Sequence, residues 1–271
     1  MTIAALSGIS SGQQLTPVFH FFQYPGATGT FFSSISSNDI VSGWYDDASG
    51  QHGFEVMNGK ITPIDAPNGF YGTAAEGVNS SDTVVGFYTD VSENVHGFSY
   101  AGGIFTEIGP PGAQQSAAYG IDDSGHTTGF FVDTDGVSKG WIFDGHTYHT
   151  VWMGTSSTVL DINELGIATV LWTDGSGAYK AAVYDRHGFK NIDVPGAFYS
   201  FPRGISSLGN VALYFSDDLF TYHGALLIGR AFTKFDAPGC DSTRAHGIND
   251  QRIVVGSCKA GSEYSAFYVK Y

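Results

Sequence analysis

Charged residues, and basic residues above all, are scarce in this sequence. Asp, Glu, Lys and Arg make up 14% of the 271 residues, against roughly 25% in an average soluble domain. The 12 Lys and Arg stand against 26 Asp and Glu, so the formal net charge is -14. A surface of that sign repels phosphate backbones and anionic lipids, and we therefore expect no nucleic-acid partner and no membrane partner.

Long apolar runs and cofactor motifs are also missing. No segment approaches the roughly 18 apolar residues of a membrane-spanning helix. Residues 1–14 hold no basic residue ahead of an apolar stretch, as a secretion signal would. The sequence has no GxxxxGK(S/T) phosphate loop and no HExxH zinc motif. We therefore expect a protein that works without a cofactor.

Glycine and aromatic residues are abundant instead. The chain contains 37 Gly, 21 Phe, 15 Tyr and 4 Trp. Glycine disfavours helices, and this number of aromatic rings allows a large apolar surface to be buried. The composition therefore indicates a globular protein built from β-strands.

A repeat of about 43 residues runs through the chain. It is marked by a Gly-Ile-Asn triplet or a variant of it, preceded by a turn that reads Pro-Gly-Ala at 25–27, 111–113 and 195–197. The central residues of the triplets are Ile35, Val78, Ile121, Ile162, Ile205 and Ile248. Three β-rich runs follow each triplet, so every copy predicts four short strands separated by turns.

Six copies of four strands predict an all-β, six-bladed β-propeller with four strands per blade. The last copy ends at residue 271 without its fourth strand, and a surplus strand at 18–24 precedes the first copy. We expect this N-terminal strand to complete the last blade, which closes the ring and leaves no free sheet edge. The predicted domain is a single propeller over 1–271, with an extension at 1–17 and blades from about residue 25.

The repeat resembles a known family. Its Pro-Gly-Ala turn, its Gly-Ile-Asn triplet and the His-Gly-Phe sequences at 52–54 and 96–98 are similar to those of the HAF-type extracellular repeat proteins, over nearly the whole chain. The resemblance implies secretion but no particular activity. It favours an extracellular or periplasmic location, whereas the missing signal sequence favours a cytoplasmic one.

Both cysteines lie in the last repeat. The residues ten positions after the triplet centres are Tyr45, Tyr88, Phe131, Trp172, Phe215 and Cys258. Five of them are aromatic, which predicts packing between blades. Cys240 lies in the turn that opens the repeat containing Cys258, where the first strand begins beside the end of the second. We expect a disulfide between Cys240 and Cys258; two free buried thiols are the alternative.

A second recurrent pair joins an aspartate to a base five or six residues later. The aspartates are Asp47, Asp90, Asp133, Asp174 and Asp217, and the bases are His52, His96, Lys139, Lys180 and His223. Lys replaces His in two copies, which a set of metal ligands would not accept. We therefore predict hydrogen bonds across a hairpin, and no metal.

One position differs in every repeat. The residues immediately before the triplets are Ser33, Glu76, Tyr119, Leu160, Arg203 and His246. The innermost strand of a blade lines the central channel, so these six side chains are expected to form one ring around the axis. Strict alternation would place each of them on the same side as the apolar triplet centre, so the arrangement requires a β-bulge.

The ring offers acid and base chemistry. We assign proton transfer to Glu76 and His246, proton or hydrogen-bond donation to Tyr119, and stabilisation of an anion to Arg203. A polar plug without catalysis is the alternative interpretation. Two residues earlier on the same strands, Phe31, Phe201 and Arg244 are predicted to bind substrate. Tyr71 and Tyr199, in the entering turns, are predicted to form the rim.

Three functions fit these observations. The first is a monomeric, cofactor-independent acid–base enzyme of the isomerase, lyase, cyclase or hydrolase type, acting on a small polar or anionic molecule in the central channel. The second is a carbohydrate-binding lectin, and the third is a protein-interaction scaffold. Because the ring position diverges among the copies, one central site is favoured over six equivalent sites.

Overall fold

The computed structural model describes residues 17–271, which form 24 strands and no helix. Residues 1–16, which include nearly all of the predicted extension, lie outside the described residues. Within 17–271 no helix is therefore long and apolar enough to cross a membrane. The all-β prediction is confirmed for the described part of the chain.

The strands fall into units of four that follow the sequence repeat. Unit 1 contains β2 (Gly29–Ile35), β3 (Val41–Asp47), β4 (Gly50–Met57) and β5 (Lys60–Ile64). Unit 2 contains β6 (Gly72–Val78), β7 (Val84–Thr89), β8 (Val95–Ala101) and β9 (Ile104–Glu107). Unit 3 contains β10 (Gln115–Ile121), β11 (Thr127–Val132), β12 (Ser138–Phe143) and β13 (Tyr148–Val151).

The second half of the chain repeats this order. Unit 4 contains β14 (Ser156–Ile162), β15 (Ala168–Thr173), β16 (Tyr179–Asp185) and β17 (Gly188–Asn191). Unit 5 contains β18 (Tyr199–Ile205), β19 (Val211–Ser216), β20 (His223–Ile228) and β21 (Ala231–Phe235). Unit 6 contains β22 (Ser242–Ile248), β23 (Ile253–Ala260), β24 (Glu263–Lys270) and the N-terminal strand β1 (Phe19–Phe22).

Each unit is an antiparallel sheet of four strands. In unit 6 the fourth strand is β1, which pairs with β24 from Phe19 opposite Val269 to Phe22 opposite Ala266, as predicted. Single parallel pairings, Gly29 with Tyr264 and Gln51 with Gly72, join units 6, 1 and 2 into one larger sheet. The first strand of every unit contacts the first strand of the next, and β22 contacts β2.

The asparagine of the triplet explains why the triplet recurs. The Oδ1 atom of Asn79 accepts hydrogen bonds from the backbone N–H groups of Ser81 and Thr83, which fixes the turn between β6 and β7. Its Nδ2 atom donates to the carbonyl oxygen of Asp122 in the next unit, at 3.1 Å. One side chain thus shapes its own turn and joins two units. Asn163 and Asn249 repeat the second bond, to the carbonyls of Ser206 and Ser36.

The predicted packing position and disulfide are present. Tyr45, Tyr88, Phe131 and Phe215 are buried, whereas Trp172 is half-buried and its Nε1–H lacks a hydrogen-bond partner among the described residues. Cys258 replaces the aromatic residue in unit 6. It is bonded to Cys240, with the two Cα atoms 5.6 Å apart.

The aspartate–base pairs lie at the hairpins between second and third strands. The Nε2 atom of His96 lies 3.0 Å from Asp90, and Nζ of Lys139 lies 2.7 Å from Asp133. His52 and Asp47 approach to 3.4 Å, and His223 and Asp217 to 3.6 Å. The predicted hydrogen bond is therefore found in two of the five copies, at His96 and Lys139. In two more the groups approach only to ion-pair distance, and Lys180 forms no ion pair with Asp174 within residues 17–271.

The packing of β1 against unit 1 can be tested with two neighbouring phenylalanines. Phe22 is half-buried and packs on Phe32, with ring centroids 5.1 Å apart, whereas Phe21 is 43% exposed. We expect Phe22→Ala to lower the free energy of unfolding by about 2 kcal/mol, somewhat below the range for a fully buried phenylalanine. Phe21→Ala is the matched control, with a change within about 0.5 kcal/mol. Equal losses in urea unfolding would contradict the proposed packing of β1.

Candidate functional site

The variable position is a β-bulge in every unit. The register of the first and second strands shifts around it, for example between Ala75 and Gly77, so that Glu76 has no partner in the ladder. The same shift occurs in the other five units. A bulge re-aims the extra side chain, which resolves the conflict between this position and the apolar triplet centre. The predicted bulge is confirmed.

The six bulge residues line one cavity. Ser33, Glu76, Tyr119, Leu160, Arg203 and His246 all border it. The space between them is about 10 Å³, close to the minimum that holds one water molecule. The structure thus brings together the four side chains predicted to carry acid–base chemistry, around a volume of about one water.

Glu76 and Arg203 form an ion pair inside this cavity. The Nη2 atom of Arg203 donates to Oε2 of Glu76 at 3.1 Å, and the two side chains are 19% and 8% exposed. Burial raises the pKa of Glu76, and the charge of Arg203 opposes that shift. The guanidinium of Arg203 also lies 5.9 Å from the ring of Tyr119. Burial raises the pKa of Tyr119, so its hydroxyl stays a hydrogen-bond donor.

His246 is held in its neutral form. Its Nδ1 atom lies 2.8 Å from the carbonyl oxygen of Phe32. Because a carbonyl only accepts, Nδ1 carries the proton and Nε2 keeps its lone pair. Burial, with Arg203 as the next cause, lowers the pKa of His246 well below its usual value. The imidazole is therefore an uncharged hydrogen-bond acceptor near the cations of Arg203 and Arg244.

A buried aspartate beside the ring was missed in the sequence prediction. Asp161 stands where most triplets begin with glycine, and it borders the bulge cavity and a second cavity of about 50 Å³ among the triplet residues. Its carboxylate accepts hydrogen bonds from the backbone N–H groups of Ile162 and Ile205, both at 2.9 Å. Burial raises its pKa to about 7. The sequence does carry a signal for this residue, because an acid replaces a glycine that recurs at the start of the triplet.

Further aromatic side chains lie two residues before the bulge position, nearer to the turn that enters each first strand, and directly opposite on the second strand. The residue opposite Phe31 is Trp44, and the two rings stack at 3.8 Å. Phe201 likewise lies opposite Tyr214, at 4.7 Å. The second-strand residues at this level are Trp44, Phe87, Phe130, Leu171, Tyr214 and Ser257. Their recurrence nine positions after the triplet centre would have identified them in the sequence.

Units 4 and 5 carry a connected group of rings, here called the aromatic cluster. It consists of Tyr179, Tyr199, Phe201, Tyr214 and Tyr222, whose neighbouring ring centroids lie 4.7 to 6.2 Å apart. Tyr179 is 43% exposed and the others are half-buried, so solvent reaches the group. The ring of Tyr214 lies 5.9 Å from that of His246, which makes the cluster continuous with the bulge cavity.

Arg244 borders the aromatic cluster from unit 6. Its guanidinium lies 4.4 Å from the ring centroid of Tyr222 and 5.8 Å from that of Tyr214. Its Nε–H is buried and has no hydrogen-bond partner within the described range. Three of the five predicted substrate-binding residues, Tyr199, Phe201 and Arg244, therefore lie at one site.

The other two predicted substrate-binding residues lie elsewhere. Phe31 is buried between Trp44 and Tyr264, in units 1 and 6. Tyr71 is 52% exposed and contacts the ring of Phe70 in the turn before β6. Neither residue has a ring contact with the aromatic cluster. In residues 17–271, no group of three or more His, Cys, Asp or Glu is placed to hold a metal ion.

Comparisons with solved structures show a β-propeller fold. The SapL1 lectin, solved in complex with alpha methyl fucoside, matches with a TM-score of 0.58 and 10% identity over 87% of this chain and 90% of the lectin. A mutant of the Aleuria aurantia lectin in complex with alpha-methyl-L-fucoside matches with a TM-score of 0.53 and 8% identity, over 88% and 90%. The β-propeller domain of the Trilobed protease from Pyrococcus furiosus matches with a TM-score of 0.53 and 9% identity, over 90% and 94%.

No protein-family model and no curated protein matches the sequence. The resemblance to HAF-type repeats therefore stays a prediction. The similar solved structures include lectins and part of a protease, at identities where only the fold is shared.

Proposed function

We propose that the protein is a closed, six-bladed β-propeller that binds a carbohydrate at the aromatic cluster. The blade count rests on the six units of four strands. Closure rests on the pairing of β1 with β24 and on the hydrogen bond from Asn249 in unit 6 to Ser36 in unit 1. The binding function rests on the aromatic cluster itself, which presents accessible rings and phenolic hydroxyls beside a cation.

Sugars are recognised by a combination of apolar contact and directed hydrogen bonds, because one face of a pyranose ring is mostly C–H and its rim carries hydroxyl groups. Tyrosine supplies both kinds of contact, since its ring is apolar and its hydroxyl is polar. Tyr199, Tyr214 and Tyr222 sit around Phe201 with the guanidinium of Arg244 at their edge. Apolar walls with a few convergent polar groups are typical of small-molecule sites.

The aromatic cluster occurs once in the described chain. Positions equivalent to Phe201 are Phe31, Ala74, Ala117, Thr158 and Arg244. Alanine and threonine leave units 2 to 4 without the central ring of the cluster, and in unit 1 Phe31 is buried against Trp44. We therefore propose one saccharide per chain. The lectins among the similar structures favour this class of ligand, and the methyl fucoside bound to two of them is included as a probe.

Calorimetric titration with alpha-methyl-L-fucoside and the methyl glycosides of glucose, galactose and N-acetylglucosamine tests the proposal. We expect one binding site per chain and a loss of at least tenfold in affinity in Tyr222→Ala. Tyr100→Ala is the matched control, because Tyr100 is a half-buried tyrosine that packs on Phe105 at the third and fourth strands of unit 2.

The outcomes separate the candidate functions. About six equivalent sites would place binding at every blade junction instead of at the aromatic cluster. Equal affinity in Tyr222→Ala and the unmodified protein would exclude the aromatic cluster as the site. Failure to bind any saccharide, including the acidic sugars considered below, would reject carbohydrate binding and leave the interaction scaffold.

The acid–base enzyme is a second candidate, favoured by one observation. His246 keeps an Nε2 lone pair on a neutral imidazole and borders the same small cavity as the carboxyl group of Glu76, and a base and an acid around one cavity are suited to proton transfer. The cavity of about 10 Å³ is too small for a sugar, so a saccharide would react while held at the aromatic cluster, where the ring of Tyr214 lies 5.9 Å from that of His246. Conversion of a bound saccharide that disappears in His246→Gln, with binding retained, would support the enzyme; binding without conversion would support the lectin.

A further inference from the structure

Arg244 is a cation without an anionic partner in a strongly acidic protein. No carboxylate forms an ion pair with it among residues 17–271, and its buried Nε–H has no hydrogen-bond partner. Arg203, the other arginine of the channel, is paired with Glu76 at 3.1 Å. A half-buried charge that lacks a counter-ion is unfavourable, so an anion that arrives at Arg244 gains more than it would at a paired arginine.

Two acids on the segments that carry Arg244 and Tyr222 are engaged in their own loops. Asp241, three residues earlier, accepts a hydrogen bond from the backbone N–H of Gly261 at 2.7 Å. Asp218, in the loop that carries Tyr222, accepts hydrogen bonds from the backbone N–H groups of Phe220 and Thr221. These carboxylates stabilise their own loops. Neither carboxylate pairs with Arg244, so its guanidinium is available to a ligand.

Arg244 is also held in place for recognition. Its guanidinium lies over Tyr222 at 4.4 Å, a cation–π distance that restrains the plane of the group. A guanidinium restrained in this way presents its edge N–H groups as a fork, which matches the two oxygens of a carboxylate. The Oγ atom of Ser257, directly opposite Arg244 in the sheet, is buried and unpaired as well.

We infer that the ligand of the aromatic cluster is an acidic sugar, a hexuronic acid whose carboxylate pairs with Arg244 while its ring packs on the tyrosines. This inference rests on the proposed carbohydrate binding and specifies its ligand. The net charge of -14 repels anions at long range, but salt screens this repulsion beyond about 10 Å, whereas the unpaired arginine acts at contact distance.

Two pairs of sugars that differ only at C6 test the inference: glucuronate against glucose, and galacturonate against galactose, each as the methyl glycoside. We expect the favoured uronate to bind about tenfold to a hundredfold more tightly than its neutral partner, as for one charge-assisted bidentate contact. Raising the salt concentration weakens uronate binding more than neutral-sugar binding. Calorimetry provides both comparisons.

Arg244→Met should remove the preference for the uronate and leave the weaker affinity for the neutral sugar. Arg244→Lys should retain part of the preference, because lysine keeps the charge but not the fork. Arg230→Met is the matched control, since Arg230 is exposed in the hairpin between β20 and β21 and the change in net charge is the same. Thermal melting of the three variants verifies that each is folded.

The results distinguish the inference from the function on which it rests. Equal binding of acid and neutral sugars overturns the acidic-sugar inference and preserves carbohydrate binding. A preference that persists in Arg244→Met overturns the role of Arg244. Absence of binding to all four glycosides and to the neutral panel above overturns both.

Discussion

Glu76→Gln should lower the free energy of unfolding by about 3 kcal/mol at pH 7, one of the two largest effects we expect. The substitution leaves the charge of Arg203 without its partner, at a side chain that is only 19% exposed. An arginine does not lose its proton in proteins, so the unpaired charge persists, and breaking a buried ion pair by removing one partner costs about 3 to 5 kcal/mol. We choose the lower end because part of Arg203 remains accessible. Urea unfolding measures the loss.

Arg203→Met should lower the free energy of unfolding by less than Glu76→Gln does, and the size of its effect should depend on pH. Without the cation, less opposes the effect of burial on the pKa of Glu76, which therefore rises further. A carboxyl group whose pKa is higher in the folded than in the unfolded chain binds more protons when folded. The variant therefore loses stability as the pH rises above about 4.3, the ordinary pKa of glutamate. We expect a smaller difference from the unmodified protein at pH 4 than at pH 8.

Glu76→Leu combined with Arg203→Met is the control for both single substitutions. Replacing a buried ion pair by apolar side chains is often neutral, so the double variant should be more stable than Glu76→Gln. If Glu76→Gln unfolds at the same urea concentration as the unmodified protein, the ion pair contributes nothing to the fold. Any role of Glu76 would then lie in the chemistry of the cavity and not in the stability of the fold.

Removal of the disulfide should have an effect of similar size. The bond joins residues separated by 18 positions, and the loop-entropy relation gives about 3 kcal/mol for a loop of this length. We expect Cys240→Ser combined with Cys258→Ser to lose about this amount in urea unfolding. The packing of unit 6 is otherwise preserved, because serine is close to cysteine in volume.

Reduction supplies the control for this prediction. The unmodified protein in dithiothreitol should unfold at the same urea concentration as the double serine variant, and the variant itself should not respond to the reductant. A response of the variant would show that dithiothreitol acts by another route. A double variant as stable as the oxidised protein would mean that strand pairing alone holds unit 6 together.

The repeat made most of the fold predictable. The spacing of the triplets predicted the four-strand units. The surplus strand before residue 25 predicted the pairing of β1 with β24. The exchange of an aromatic residue for Cys258, in the repeat that also holds Cys240, gave the disulfide. Each of these features follows from comparing the copies with one another: shared positions define the unit, and a surplus strand or an exchanged residue stands out against them.

The candidate site was only partly predictable, because its contacts join distant residues. The divergence of the bulge position indicated that Glu76, Arg203 and His246 meet. Nothing in the sequence indicated that Glu76 and Arg203, 127 positions apart, form an ion pair, or that the space between them is close to one water. The aromatic cluster was found in part, through Tyr199 and Phe201. Tyr214 and Tyr222 were missed because neither belongs to the first strand of its unit.

The bulge has a consequence for how such a protein diverges. A residue inside a ladder must suit its cross-strand neighbour, whereas Glu76 and its five equivalents have no such neighbour. Substitution there leaves the strand pairing of the repeat unchanged. The six positions that line the cavity can therefore differ from unit to unit without altering the strand pairing of any unit. Side chains as unlike as Ser33, Leu160 and Arg203 are accommodated at one position of the repeat, so the chemistry of the cavity can change while the scaffold stays the same.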